Sequence, residues 1–301
     1  MKNPLHRVIL VSDMHYTTEE THEEMLLSNP QVNTSAAAGD AFGHTQKEKV
    51  QCIVKDITSF TDNNPTDAVL VLGDLSIDDY SFRNLPDNYC AKFKEDCMEK
   101  LGCPSYAIAG NHDSYPEEMW KEIFGYGRQY SLKIGNAVFV MLDTFKAAAA
   151  NSASGSPYVG IDVDYLRKEL AKYPTEPIFL CAHHIKDEPK EELMQLLSEN
   201  PRIVCLFRGH THINQVLQCQ NLAGKPLVDI GGYGYVGEVI DGNWHFDRFD
   251  PSWAWGFEVL EWNEDEAFMY HIKPARTYRG FNGVFELEEM IEGERSCALE
   301  K

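Results

Sequence analysis

Five short segments of this 301-residue chain combine metal-binding side chains with, in most cases, glycine. The segments are Asp13-Met14-His15, Gly73-Asp74, Gly110-Asn111-His112-Asp113, His183-His184 and Gly209-His210-Thr211-His212. Their carboxylates, imidazoles and single amide are ligands suited to Mn, Fe, Zn, Co or Ni. The glycines would let the backbone turn sharply and come close to a bound group. Each segment alone is also typical of a turn or a surface loop, so only their combination indicates a site.

Each of the five segments directly follows a short apolar run. Such runs, rich in Val, Ile, Leu and Phe, are typical of strands that are buried on both faces. The runs are Arg7–Val11, Ala68–Leu72, Tyr106–Ala109, Ile178–Cys181 and Ile203–Phe207. Because side chains at the carboxyl ends of neighbouring strands converge on one crevice, we expect the five segments to meet.

The segments between these runs predict the helices that cover the sheets. Gln46–Phe60 repeats apolar residues at the spacing of one helix face, Asp162–Lys172 begins with a capping residue, and Pro189–Glu199 begins with proline. Gly135-Asn136 is a hairpin signal before the further strand Ala137–Leu142. The pattern predicts an α/β fold with two packed sheets flanked by helices.

The second half adds the apolar runs Pro226–Ile230, Phe257–Trp262 and Ala267–Ile272. No linker divides the chain, so we expect one domain over residues 1–301, with a C-terminal elaboration from about residue 232. Long loops are expected at 16–45 and 144–160, where they could restrict access to the site. The acidic tail after Glu286 is expected to be a solvated helix or a frayed end.

The chain carries 27 basic and 47 acidic residues, for a formal net charge of −20. This charge disfavours nucleic acid and anionic membranes as partners. The eight cysteines form no close CxxC pair, and neither a signal peptide nor a membrane segment is recognisable. A reducing, cytoplasmic location is therefore the expectation, and the oligomeric state is left open.

The order D-x-H, G-D, G-N-H-D, H, G-H-x-H resembles that of the calcineurin-like metallophosphoesterase superfamily, over about Val8 to His212. The resemblance implies a four-layer αββα sandwich with a dinuclear metal centre at the sheet ends. It implies that Asp13, His15, Asp74 and His212 hold one ion. Asp74, Asn111, His183 and His210 would hold the other, so that Asp74 bridges the two.

The resemblance also implies a chemistry for this centre. A hydroxide shared by two divalent or trivalent transition metal ions would attack the phosphorus of a small phosphomonoester or phosphodiester. His112 would face the substrate, stabilise charge on its oxygens or protonate the leaving oxygen. The identity of the metals and of the substrate stays open.

Other assignments have more than one reading. His183 aligns as the ligand of the fourth motif, so His184 would support the ligands or face the substrate. The alternative is that His184 is the ligand. Asp113 would fix its loop or orient a histidine, while Tyr16 and Arg208 could approach the substrate. Many relatives have proline after the histidines, where this chain has Ile185, which weakens an assignment to the cyclic-nucleotide branch.

Two other functions compete with the hydrolase. A non-catalytic metal-binding scaffold of the same fold would be expected to lose ligands, and none is missing here. A nuclease would share the metal chemistry but must dock a long polyanion, which the charge of −20 disfavours. The expected activity is therefore that of a metal-dependent phosphoesterase.

Overall fold

The computed structural model of the protein describes residues 5–16, 46–76, 88–145, 156–186, 190–233, 238–240, 243–245, 256–274, 277–280, 283–286 and 293–298. Its helices are α1 (Gln46–Thr61), α2 (Tyr89–Asp96), α3 (Glu117–Phe124), α4 (Val163–Lys172) and α5 (Glu191–Glu199). The strands of the first half are β1 (His6–Val11), β2 (Ala68–Leu72), β3 (Ser105–Ile108), β4 (Tyr130–Ile134), β5 (Ala137–Leu142), β6 (Ile178–Ala182), β7 (Ile203–Arg208) and β8 (Asn214–Gln218). Those that follow are β9 (Pro226–Ile230), β10 (Glu238–Ile240), β11 (Asn243–His245), β12 (Phe257–Trp262), β13 (Glu266–Ile272), β14 (Thr277–Gly280), β15 (Gly283–Glu286) and β16 (Gly293–Ala298).

Two mixed six-stranded sheets form the centre of the molecule. The first has the order β16-β13-β12-β1-β2-β3, and the second has the order β4-β5-β6-β7-β9-β8. Within them, β1, β2 and β3 run parallel, as do β5, β6, β7 and β9. The predicted α/β sandwich of two packed sheets is therefore confirmed.

Three apolar layers hold the sheets and helices together. Between the sheets, Leu10 and Leu70 of the first meet Phe179 and Phe207 of the second, and all four are buried. The outer face of the first sheet packs against α1, α2 and α3, and that of the second against α4 and α5. This arrangement gives the expected four layers, because each buried strand has apolar residues on both faces.

The predicted helix starts are partly supported by capping contacts. The Asp162 carboxylate accepts a hydrogen bond of 2.9 Å from the backbone N–H of Tyr165, so α4 begins where its predicted cap stands. Helix α5 begins at Glu191, and the predicted start at Pro189 lies outside the described residues. The predicted loop 16–45 also lies there apart from Tyr16, as do residues 146–155 of the second loop.

The expectation for the acidic tail is wrong. β16 pairs antiparallel with β13 from Gly293 to Ala298 and forms the edge of the first sheet. Without this strand, β13 would present a row of unpaired backbone N–H and C=O groups. The hydrogen bonds between strands join backbone groups, so a segment of polar residues can form an edge strand. The single-domain boundary of 1–301 stays a prediction, although β12 pairs directly with β1.

Two further expectations concern the cysteines and the membrane. Among the cysteines whose side chains the structure describes, no two form a disulfide with each other; they are Cys52, Cys90, Cys97, Cys103, Cys181, Cys205 and Cys219. Among the helices in the described residues, none has the length and apolar character needed to cross a bilayer.

Candidate metal centre

The predicted ligand residues lie at the carboxyl ends of parallel strands in both sheets. Asp13 and His15 follow β1, and Asp74 follows β2. From the second sheet, His183 follows β6 and His210 comes shortly after β7. His183 Nε2 lies 3.2 Å from Asp74 Oδ2, so side chains from the two sheets meet at this end of the sandwich.

Asp13, His15 and His212 form a first group of ligating atoms, called cluster 1 here. His15 Nε2 lies 3.2 Å from His212 Nε2, and His212 Nε2 lies 3.1 Å from Asp13 Oδ1. The distance from His15 Nε2 to Asp13 Oδ1 is 3.8 Å. All three residues are buried, with His212 the most exposed at 4%.

Asp74, Asn111, His183 and His210 form a second group, called cluster 2 here. His183 Nε2 lies 3.2 Å from Asn111 Oδ1 and 3.3 Å from His210 Nδ1. His183 Nδ1 donates a hydrogen bond of 2.8 Å to the Leu72 carbonyl, which leaves Nε2 as its ligating atom. Asn111 and His210 are only partly buried, unlike the residues of cluster 1.

Asp74 connects the two clusters. Its Oδ2 lies 3.2 Å from His183 Nε2 of cluster 2 and 3.9 Å from His15 Nε2 of cluster 1. Its Oδ1 accepts a hydrogen bond of 2.9 Å from the backbone N–H of His112. One oxygen is therefore fixed by the backbone, while the other faces ligating atoms of both clusters.

The distances fit residues that surround metal ions. Ligands about 2.0–2.2 Å from one tetrahedral ion lie roughly 3.3–3.6 Å apart. The separations of 3.1–3.3 Å and 3.8 Å between ligating atoms in the clusters are close to that range. The buried Asp13 Oδ1 has no hydrogen bond of acceptable geometry, although His212 Nε2 lies 3.1 Å away. Together with the ligand atom of His15, these two atoms all lie within 4.8 Å of one another, a spacing that suits a shared cation.

The backbone at the site adopts a conformation that is unusual for residues with side chains. Six non-glycine residues among those described have φ between 44° and 66°. Five of them are predicted ligands, namely Asp13, His15, Asp74, His210 and His212. Such conformations cost free energy and cluster at functional sites, where the surrounding structure enforces them.

Two glycines make room for the ligand side chains. A Cβ atom on Gly110 would lie 2.0 Å from Asp74 Oδ1, and one on Gly73 would lie 2.5 Å from His183 Nδ1. Gly73 also has φ of 89°, which disfavours residues with a Cβ. These contacts explain why glycine precedes Asp74 and Asn111 in the sequence.

The electrostatics keep the carboxylates of the site ionised. Burial alone would raise the pKa of Asp13, but the imidazoles of His212 and His183 outweigh it and lower the pKa to about 2. Burial also opposes the ionisation of Asp74, and His183 and His112 hold its pKa well below the usual range. Both carboxylates therefore have the charge that cation binding needs.

The histidines differ in charge. Burial lowers the pKa of His15 well below its usual value, and burial with the nearby His183 lowers that of His210 to about 4. Burial would also lower the pKa of His183, but the carboxylates of Asp74 and Asp13 outweigh it and raise the pKa to about 9. The raised pKa of His183 and the lowered pKa of Asp74 describe the same ion pair. A cation that binds His183 would replace its proton.

His112 stands at the more open side of the centre. Its side chain is 19% exposed, and its Nε2 lies 3.9 Å from Asp74 Oδ2. Its ring meets that of His15 edge to face, with 5.0 Å between the centroids. His112, His15 and Asp74 together form a third group of ligating atoms.

Asp113 joins the second and third motifs. Its buried carboxylate accepts hydrogen bonds from the backbone N–H groups of Leu75 at 3.1 Å, Ser76 at 3.0 Å and Gly110 at 2.9 Å. Burial and the nearby Asp74 raise the pKa of Asp113, against these hydrogen bonds. The contacts place Asp113 as a link between the loops that carry Asp74 and Asn111.

The remaining predicted residues have different surroundings. Tyr16 donates a hydrogen bond of 2.9 Å from its hydroxyl to Asp96 in α2. Arg208 is buried and forms an ion pair with Asp229 and a hydrogen bond with the Ile185 carbonyl. The ring of His184 lies 4.3 Å from that of His210, measured between centroids, so His184 borders cluster 2.

Sequence reasoning missed three residues beside cluster 2. The ring of Phe145 lies 5.7 Å from that of His183 and 6.0 Å from that of His210, and Tyr158 contacts Phe145 edge to face. Arg128 donates a hydrogen bond to the backbone carbonyl of Phe145. None of the three belongs to a motif, although Phe145 and Tyr158 flank the low-complexity stretch that the sequence marks as a loop.

Fold and site together define a metal-dependent hydrolase of the αββα class. The model of the calcineurin-like phosphoesterase family matches residues 6–214, and the chain belongs to this family. It is a metallophosphoesterase. A protein from Synechococcus named a probable cyclic nucleotide phosphodiesterase is 28% identical over 225 residues, which cover 68% of this chain and 80% of that protein.

Two solved structures share the fold at low sequence identity. A dimetal phosphatase from Danio rerio is 10% identical, with a TM-score of 0.59 over 99% of this chain and 100% of that one. GAP50, described as the anchor in the inner membrane complex of Plasmodium, is 12% identical, with a TM-score of 0.55 over 99% of this chain and 90% of that one. At such identities the likeness shows the fold alone, and the two descriptions show that one fold serves different functions.

Proposed function

We propose that this chain hydrolyses small phosphodiesters with the help of two bound transition metal ions. The observation that carries the proposal is the position of Asp74, whose Oδ2 faces His183 of cluster 2 at 3.2 Å and His15 of cluster 1 at 3.9 Å. A carboxylate oxygen that faces imidazoles of both clusters is suited to bridge two cations, because it has more than one lone pair and shares the negative charge of the group.

The proposal assigns every predicted ligand to an ion. Cluster 1 with Asp74 would hold one ion, and cluster 2 would hold the other. When bound, the two ions would supply Lewis-acid activation of water and of the phosphoryl oxygens. They would add about +4 where Asp13 and Asp74 supply about −2, so an anion could bind to a chain with a net charge of −20.

His112 has the position of a proton donor or a charge-stabilising group. It is the histidine of the third motif that reaches the open side, and its backbone N–H is fixed on Asp74 Oδ1 at 2.9 Å. A partly exposed imidazole beside the ligands can donate a proton to a leaving oxygen or a hydrogen bond to a phosphoryl oxygen.

Two observations support small diesters as the substrate class. The relative from Synechococcus is named a probable cyclic nucleotide phosphodiesterase, and cyclic nucleotides are small diesters. The net charge of −20 repels long polyanions, which disfavours the nuclease alternative. A non-catalytic scaffold is the other alternative, and the convergence of the complete ligand set disfavours it.

The proposal is tested with the full chain after removal of metal and reconstitution with Mn²⁺. Bis-p-nitrophenyl phosphate, p-nitrophenyl phosphate and 3′,5′- and 2′,3′-cyclic nucleotides are the substrates, and kcat and KM are measured for each. We expect turnover that requires metal, with a higher kcat/KM for diesters than for p-nitrophenyl phosphate. Metal-loaded protein without activity on any of these esters would contradict the proposal.

Three variants complete the experiment. Asp74→Asn should abolish turnover, since the amide loses the charge of the bridge. His112→Ala should lower kcat by roughly 10²–10⁴-fold, the usual contribution of a positioned acid or base, while both metal ions stay bound. His6→Ala, at the opposite end of β1, is the matched control and should leave kcat and metal content unchanged.

A further inference from the structure

Arg128 is a buried arginine that lies between α3, on the first sheet, and β4, in the second sheet. It is 4% exposed and belongs to none of the five motifs. An arginine with so little contact with solvent must find partners for its charge and its donors within the protein.

The side chain of Arg128 makes five hydrogen bonds. Two go to the carboxylate of Asp143, from Nε to Oδ2 at 2.6 Å and from Nη2 to Oδ1 at 3.2 Å. Nη1 donates to the carbonyls of Asp113 at 3.1 Å and Tyr115 at 2.7 Å, and Nη2 donates to that of Phe145 at 3.3 Å. A guanidinium has five N–H donors in a rigid plane, and the number of hydrogen bonds made by Arg128 equals the number of these donors.

These partners belong to two different parts of the centre. Asp113 and Tyr115 belong to the loop that follows β3 in the first sheet and carries Asn111 and His112. Asp143 and Phe145 directly follow β5 in the second sheet. Arg128 therefore joins a loop of the first sheet to the end of a strand in the second.

Cluster 2 depends on the relative position of these two parts. Asn111 comes from the first sheet, whereas His183 and His210 come from the second, and the ring of Phe145 lies within 6.0 Å of both histidine rings. The two sheets form separate hydrogen-bonded ladders, so their offset at this end is fixed by the apolar layer between them and by polar contacts that cross from one sheet to the other. Two of these contacts run from His183 Nδ1 to the Leu72 carbonyl and from the His210 N–H to Asp13 Oδ2, and neither holds Asn111. Besides Arg128, the backbone N–H of Ser156 donates to the Asn111 carbonyl at 2.9 Å.

We propose that Arg128 is a positioning residue that fixes Asn111 and His112 against the histidines of the second sheet. This inference rests on the proposed two-metal function. Lysine cannot replace the arginine, because an ammonium group cannot form a planar bidentate pair with Asp143 while it also donates to three carbonyls. Loss of the Arg128 guanidinium should let Asn111 move relative to His183 and His210 of cluster 2, whereas the residues of cluster 1 should keep their positions.

The experiment measures Mn²⁺ binding to the metal-free full chain by calorimetry and equilibrium dialysis, with the variant Arg128→Lys. We expect the second Mn²⁺ to bind about 10-fold more weakly, the lower end of the effect of losing a partner that supports metal ligands, because Arg128 holds the loop of Asn111 and not Asn111 itself. The first Mn²⁺ should bind as in the wild type. The kcat for bis-p-nitrophenyl phosphate at limiting Mn²⁺ should fall in parallel.

Arg7→Lys is the matched control. Arg7 forms an ion pair of 2.5 Å with Glu261 and donates to the Pro65 carbonyl, at the end of the first sheet opposite to the metal centre. Its side chain is 12% exposed, so its loss should lower the melting temperature without changing Mn²⁺ binding. Asp143→Asn is a milder variant that keeps the carbonyl contacts of Arg128, and it should weaken the second Mn²⁺ less than Arg128→Lys does.

Three results would overturn the inference. In the first, Arg128→Lys binds two Mn²⁺ with wild-type affinity. In the second, Arg128→Lys and Arg7→Lys weaken both ions to the same extent, as general destabilisation would. In the third, the wild type binds fewer than two Mn²⁺, which would overturn the proposed function as well. Two bound Mn²⁺ without turnover would contradict only the proposed catalytic function, because the binding measurement tests Arg128 independently.

Discussion

The two ligand clusters lie side by side but differ in their enclosure. In cluster 1, Asp13, His15 and His212 are 4% exposed or less, and the loops that carry them come directly after β1 and β7. In cluster 2, Asn111 and His210 are partly exposed, and the Asn111 loop is held by contacts with Arg128 and Ser156. Asp74 and His183 of cluster 2 are as buried as cluster 1, so the two clusters differ at Asn111 and His210.

On the proposed two-metal function, this difference in burial has a consequence for how each ion would be held. The enclosed site has its ligands fixed by core packing, so the binding of its ion should depend little on distant residues. The open site should exchange its ion more readily and is the side at which a substrate can enter. We therefore expect the cluster 1 ion to bind more tightly than the cluster 2 ion.

The largest effects should come from removing one ligand of each cluster. His15→Ala should weaken only the tighter ion, and Asn111→Ala only the weaker one, each by more than the roughly 10–100-fold effect of losing a ligand's hydrogen-bond partner. Both variants should bind one Mn²⁺ per chain at moderate concentration, as measured by calorimetry. Loss of both ions in Asn111→Ala would show that the clusters are not separable.

A smaller effect concerns protons. His183 of cluster 2 has a pKa raised to about 9, and it must be neutral to bind a metal ion. At pH 7.5, binding of the cluster 2 ion should therefore release about one proton, and its affinity should rise about tenfold per pH unit up to pH 9. Calorimetry in buffers of different ionisation enthalpy measures this proton directly.

The number of protons released can also be compared between the wild type and Asn111→Ala, which removes one metal ligand. Asp74 and Asp13, which raise the pKa of His183, would also hold the cluster 1 ion, so binding of that ion alone should lower this pKa and release part of the proton. Asn111→Ala should therefore release fewer protons on binding its remaining ion than the wild type releases on binding both. Equal proton release by Asn111→Ala and the wild type would contradict the assignment of His183 to cluster 2.

The smallest effect is expected at Tyr16, next to cluster 1. Its hydroxyl is hydrogen-bonded to Asp96 in α2 at 2.9 Å, so Tyr16→Phe should lower the free energy of unfolding by about 0.5–1.5 kcal/mol. KM for bis-p-nitrophenyl phosphate should stay within about twofold of the wild type, since the Tyr16 hydroxyl already has a partner in Asp96. A large rise in KM at unchanged stability would instead support the prediction that Tyr16 approaches the substrate.

The sequence predicted those parts of the fold whose signals are local. The five strands that precede the motifs follow from runs of apolar residues, and the Asp162 cap marks the start of α4. Helices α2 and α3 were missed because each has only eight residues, too few for a clear periodicity. The position of β16 depends on the free edge of β13, which the tail sequence does not reveal.

The candidate site also has residues that local sequence signals predict and residues that only the packing of the fold brings together. The ligand residues were predictable because each lies in a short motif directly after a strand. Arg128 was not, because its partners Asp143 and Phe145 are 15 and 17 positions away, and an isolated arginine has no spacing pattern. Long-range side-chain contacts such as these follow from the packing of the two sheets, which a single sequence does not specify.

One consequence of the site's construction concerns the order of events in folding. His15 and His212 lie 197 positions apart, yet their Nε2 atoms are separated by only 3.2 Å. A growing chain cannot assemble cluster 1 before residue 212 has left the ribosome and β7 has joined the second sheet. Because cluster 1 takes Asp13 and His15 from the end of the first sheet and His212 from the end of the second, the uptake of a metal ion there would report when the two sheets have come together.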